Sequence, residues 1–127
     1  MLQRRDLMPM FSVTSRIDGT RVDYKDVWQR MHLLLVCLPD SDRGSEAYAA
    51  ALAPHAAELE AGDVRLIVTS DRIAGVPCPG VVVADRWGEI FHVHGAEQPS
   101  SLPPIDDLLE WVRFVQVQCP ECQGETR

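Results

Sequence analysis

Residues 32–38, HLLLVCL, limit the possible folds more than any other part of the chain. A strand with one wet face alternates apolar and polar side chains, so an apolar run without alternation needs cover on both faces. The run is also far short of the ~20 apolar residues that a membrane-spanning helix requires. It reads as the central strand of a sheet. Residues 64–69, VRLIVT, and 80–84, GVVVA, have the same character and read as further buried strands.

The stretches between and around these runs supply the remaining elements. Residues 10–15 alternate Phe11 and Val13 with polar neighbours, Asp18-Gly19 is a hairpin turn signal, and residues 21–23 form the returning strand. Residues 1–9 read as a loose lead-in. Val27, Trp28 and Met31 are at helical spacing within residues 24–31. Residues 39–44, PDSDRG, read as a loop. Residues 45–60 are Ala-rich and helical, with Ser45 as the expected N-cap, Gly62 as the stop and Pro54 as the point where the helix kinks or divides. Residues 70–79 form a loop, and the strand at 80–84, the turn Asp85-Arg86-Trp87-Gly88 and residues 89–94, EIFHVH, form a second hairpin. After a Pro/Ser linker at 98–104, residues 105–118 place Ile105, Leu108, Leu109, Val112 and Val115 on one helical face.

With 127 residues the chain has room for a single core, so one domain over residues 1–118 is expected, followed by a tail at 119–127 carrying the CPEC motif. Its 46% hydrophobic and 24% charged residues are those of an ordinary globular protein. The net charge of −7, with scattered Lys and Arg, argues against nucleic-acid binding, which needs a concentrated basic surface. Neither a membrane partner nor a secretory signal is expected, because no apolar segment follows Arg4 and Arg5, and a reducing, cytoplasmic setting is the simplest expectation.

The order hairpin, α, β, α, β, β-hairpin, α is a thioredoxin-like arrangement. The stretch from Met10 to Leu38 resembles the opening of the peroxiredoxin and alkyl hydroperoxide reductase family, a strand, an Asp-Gly turn, a short strand and a helix before the central strand. The stretch from Pro79 to Ile90 is similar to that family's proline, strand, Asp-Arg-x-Gly turn and next strand. The resemblance covers about residues 10–115 and implies an α/β thioredoxin-like fold, a central mixed sheet flanked by helices with an N-terminal β-hairpin. It also implies that Pro79 is a cis-proline and that Cys78 faces the active-site loop.

In that family the loop after the central strand holds the reactive cysteine at a helix N-terminus, which lowers the thiol pKa. Here the loop runs Pro39 to Ser45 without cysteine, and Gly44 or Ser45 occupies the position. A serine hydroxyl with no base beside it is a cap rather than a nucleophile. Peroxidase activity by the family mechanism is therefore not expected.

Four cysteines remain. Cys37, inside the apolar run, reads as a small core residue. Cys78 reads equally well as a reactive thiol or as filling for the vacated pocket. Cys119 and Cys122 have a spacing that suits a disulfide or one metal, and a structural zinc would need the same two thiolates from a second copy across a dimer axis. Their place after a helix, not before it, raises thiol pKa values and weighs against catalysis. His92 and His94 share a strand face and could bind a metal, but more simply face solvent while Phe91 and Val93 face the core. Asp40 and Asp42, beside Arg43, are an acidic loop pair with slight promise as a cation site. Trp28, Trp87 and Trp111 read as core or interface aromatics, and Asp106, Asp107 and Glu110 as charges suited to the start of the last helix.

Two functions are compatible with these residues. One is a degenerate redoxin-like module that binds a protein partner or itself, as a homodimer that zinc could staple. The other is a thiol-disulfide oxidoreductase using Cys78 with the Cys119/Cys122 pair.

Overall fold

The computed structural model describes residues 1–40 and 42–118. Strand β3, His32–Cys37, is buried along its whole length. It lies inside a four-stranded sheet of order β4-β3-β5-β6, where β4 is Val64–Thr69, β5 is Gly80–Ala84 and β6 is Ile90–Gly95. The β3/β4 pair is parallel, whereas β3/β5 and β5/β6 are antiparallel, so the sheet is mixed. Strands β1, Ser12–Thr14, and β2, Arg21–Asp23, make a separate antiparallel hairpin in which Val13 faces Val22.

The continuous apolar run is explained by two cores that its side chains enter alternately. Leu33, Leu35 and Cys37 pack with Val13, Val22 and Tyr24 from the hairpin region. Leu34, Val36 and Leu38 pack with Leu52, Leu59, Leu108, Val112 and Val115 from the helices α1, Arg43–Leu52, α2, Ala56–Ala61, and α3, Ile105–Gln116. One face of the sheet is thus covered by helices and the other by the hairpin. Fully burying a leucine on either face is worth roughly 1.5–3 kcal/mol in transfer free energy.

Several local readings are corrected by the structure. Residues 1–9 are strapped to the second hairpin: Arg5 N–H donates to the Ile90 carbonyl (2.8 Å), Ile90 N–H to Asp6 (2.9 Å) and Met8 N–H to Gly88 (2.8 Å), and Met8 is buried. Residues 24–31 do not form a regular helix. A single 3₁₀ turn, Tyr24–Asp26, gives way to turns over residues 27–30, within which Gln29 takes a φ of 69° that is incompatible with helix continuation. The long helix begins at Arg43, not Ser45, because the Asp42 carboxylate is the cap, accepting from the amides of Gly44 (2.7 Å) and Ser45 (3.2 Å). Pro54 does divide the helix: α1 ends at Leu52 and α2 resumes at Ala56 after a 3₁₀ turn, because proline has no N–H for the helical ladder. Gly62 caps α2, but the left-handed conformation falls on Asp63 (φ 61°).

The turn between β5 and β6 follows from its residues. Asp85, fully buried, accepts at Oδ1 from the amides of Trp87 and Glu89, both at 2.9 Å. Gly88 takes φ 85°, a conformation costly for any residue with a Cβ. Just beyond it, the β5/β6 register shifts by one residue, since Ala84 pairs with Ile90 but Val83 pairs with His92. This bulge turns Phe91 to the helix face beside Phe114, while Val93 faces the hairpin core, so the expectation that Phe91 and Val93 share a face fails.

Candidate functional site

The loop after β3 and the residues before β5 leave adjacent strands at the same end of the sheet, because Cys37 pairs with Gly80. Pro39 is anchored there by Arg16, whose Nη1 donates to the Pro39 carbonyl (3.2 Å) and to Ser70 Oγ (2.8 Å). Arg16 was not among the residues singled out from sequence; it lies near the Asp18-Gly19 turn, and no local pattern ties it to residue 39. Pro79 is cis, as the resemblance implied, and its carbonyl accepts from Ala96 N–H at 3.0 Å.

At the head of α1 the arrangement is closed. Backbone N–H groups at a helix start can stabilise a thiolate or other anion. Here the Gly44 and Ser45 amides are taken by Asp42. A Cβ on Gly44 would lie 3.0 Å from Asp42 Oδ1 and 3.3 Å from Pro99 Cβ, so the turn is packed tightly against the residue 99 region. Ser45 is completely buried and its Oγ has no hydrogen-bond partner among the described residues. It is therefore neither the cap nor a hydroxyl poised by a neighbouring base.

The structure brings Cys37 and Cys78 together. Cys37 is fully buried and donates to the Asp71 carbonyl (3.5 Å), and Cys78, half-buried, packs against the same core. Burial, then a hydrogen bond with Cys78, pushes the Cys37 thiol up to about 12. Cys119 and Cys122, candidates for catalysis and for a shared zinc, lie outside the described residues. Among the described residues, no group of three or more His, Cys, Asp or Glu side chains is placed to hold a metal ion. Asp42, half of the candidate acidic cation pair, serves as the helix cap.

His92 and His94 do share a face, with ring centroids 6.3 Å apart, but His92 is not a solvent-facing residue. It stacks on Trp111 at 4.5 Å and 8°, and burial followed by the charges of His94 and Arg4 lowers its pKa. Trp111 also meets Phe114 edge to face at 5.9 Å, and Phe114 is 43% exposed. The result is an aromatic surface beside β6. Among the described residues its strand edge is paired at its start, where Arg5 and Asp6 bond to Ile90, and not beyond it. Among the described residues no helix is long and apolar enough to cross a membrane.

An antiparallel hairpin ahead of a βαβ unit, a second hairpin entered through a cis-proline and a closing helix define a thioredoxin-like fold. Solved structures similar to it include peroxiredoxins. A reduced 2-Cys peroxiredoxin from Plasmodium vivax superposes with a TM-score of 0.72 at 13% identity, covering 91% of this chain and 83% of that one. Mycobacterium tuberculosis AhpC gives 0.69 at 14% identity, covering 95% and 98%, and a Plasmodium yoelii thioredoxin peroxidase gives 0.68 at 16%, covering 93% and 97%. No family model matches the sequence, and no curated protein matches it significantly.

Proposed function

We propose that this chain is a redoxin-fold binding module that associates with a protein partner or with a copy of itself, and does not reduce peroxides by a thiolate in the loop after β3. The observation that carries the reading is the head of α1, where Ser45 is buried with no partner for its hydroxyl among the described residues and the helix amides are held by the protein's own Asp42 carboxylate. A negatively charged cap already on these donors disfavours a second anion there, whether thiolate or deprotonated peroxide. For the binding role, the support is the partly unpaired β6 edge beside Trp111 and Phe114: an open edge offers backbone donors and acceptors, and aromatic residues supply contact area. Zinc held by Cys119 and Cys122 from two copies is compatible with self-association. The alternative, a thiol-disulfide oxidoreductase using Cys78 with Cys119 and Cys122, draws its support from the place of Cys78 beside Pro79.

The test pairs peroxide consumption, with a dithiol as reductant, and mass in solution by light scattering over a range of concentrations. No catalytic turnover is expected, together with a concentration-dependent dimer that Phe114→Glu weakens at an unchanged circular dichroism spectrum. Sustained peroxide turnover by the wild-type chain would overturn the reading.

A further inference from the structure

Two thiols far apart in sequence meet at the shared end of β3 and β5. Cys37 pairs with Gly80 at the last rung of β3 and β5, and Cys78, two residues before Gly80 and just outside the strand, packs on the sheet face that holds Cys37. The two thiols are near neighbours within the core cluster on that face. Their exposures differ: Cys37 is wholly enclosed, whereas Cys78 is partly open. An accessible thiol backed by an enclosed one is the arrangement of an attacking and a resolving cysteine. It requires neither Ser45 nor the tail.

We propose that Cys37 and Cys78 form an intramolecular redox pair that closes to a disulfide by exchange with a small-molecule disulfide of the glutathione type. In the first step the Cys78 thiolate attacks one sulfur of the oxidant, the oxidant's S–S bond breaks, and one glutathione leaves as thiolate and takes up the proton that Cys78 lost. In the second, Cys37 gives up its proton and attacks Cys78 Sγ, and the second glutathione leaves and is protonated. Two protein thiols are oxidised and one external disulfide is reduced to two thiols. The closed bond would tie the end of β3 to the approach to β5. Cys37 would also cease donating to the Asp71 carbonyl, and Asp71 accepts the Thr14 amide at its carboxylate (2.8 Å), so the change reaches the N-terminal hairpin.

The test uses the full chain with Cys119→Ser and Cys122→Ser, so that only the two candidate thiols remain. It is treated with oxidised glutathione, denatured in an alkylating reagent and mapped by mass spectrometry. The expected result is a loss of two hydrogens, joined Cys37 and Cys78 peptides, and recovery of both thiols with dithiothreitol. Cys78→Ser should leave Cys37 unmodified, while Cys37→Ala should trap a stable glutathione adduct on Cys78. The parent and Cys78→Ser chains decide the question if Cys37→Ala does not fold. Persistence of the Cys78 adduct with Cys37 present, or two freely alkylated thiols after oxidation, overturns the proposal. Neither outcome bears on peroxide turnover, so the binding-module reading stands or falls separately.

Discussion

Replacing Ser45 by alanine should stabilise this protein. Serine at this position is buried inside α1 with no partner for its hydroxyl among the described residues. Burying a hydroxyl without a compensating hydrogen bond costs roughly 1–3 kcal/mol on protein mutational scales. Alanine is also the better helix former, by up to about 0.5 kcal/mol. Against these gains stands the loss of one buried oxygen's packing, well under the ~1 kcal/mol of a methyl-sized void. The net expectation is a gain of about 1–2 kcal/mol. For a domain of this size that raises Tm by roughly 3–10 °C. The assay is urea unfolding of both chains at equal concentration, with the slope against denaturant compared so that a change in midpoint can be read as stability. A midpoint that falls in Ser45→Ala would refute the reasoning, because it would mean the hydroxyl has a partner worth more than its desolvation.

Asp42→Ala should cost about 1–2 kcal/mol in the same assay, since two helix amides lose their acceptor, and Asp42→Asn should cost less; equal stability of all three chains would remove Asp42 from the capping role. His32 is 6% exposed, its Nδ1 accepts from Arg86 N–H (3.1 Å), and burial followed by Arg86 lowers its pKa to about 4 from an ordinary 6.5. The unfolded chain therefore binds the proton first, so this contribution is complete above about pH 6.5 and is lost as pH falls towards 4, by on the order of 2–3 kcal/mol. Unfolding titrations between pH 7 and pH 4.5 should show a shallower slope in His32→Gln than in the parent, and identical slopes would contradict the assignment. Gly80→Ala would place a Cβ 2.2 Å from the Pro77 carbonyl oxygen, so a loss of more than about 3 kcal/mol, or failure to fold, is expected on expression and thermal melting; a wild-type melting curve would show that the segment before β5 yields easily.

The parts of the fold legible in the sequence were those with a local cause. The unalternating run at 32–38 required two covered faces, Pro54 could not continue a helix, and Asp85 with Gly88 specified a turn. What was not legible depends on partners distant in sequence. Asp42 and Ser45 are both good caps by residue type, and in the fold Asp42 takes the amides of Gly44 and Ser45 while Ser45 is buried and Gly44 sits close to Pro99. The bulge in β6 has no glycine or proline to announce it, yet it alone sends Phe91 towards Phe114. The nearness of Cys37 to Cys78 follows from the pairing of β3 with β5, and a register is set by two strands together.

The strap formed by the first residues bears on the order in which the chain can assemble. Leu2 donates to the carbonyl of Gly75, and Arg5 and Met8 to those of Ile90 and Gly88. Made before their partners, these residues must wait for Gly75 in one case and for Gly88 and Ile90 in the others before the strap can close. Until then the hairpin side of β3 is sealed on one flank only, and loop closures this long slow folding. The side of β3 that holds Cys37 is therefore the one whose cover is completed late in synthesis.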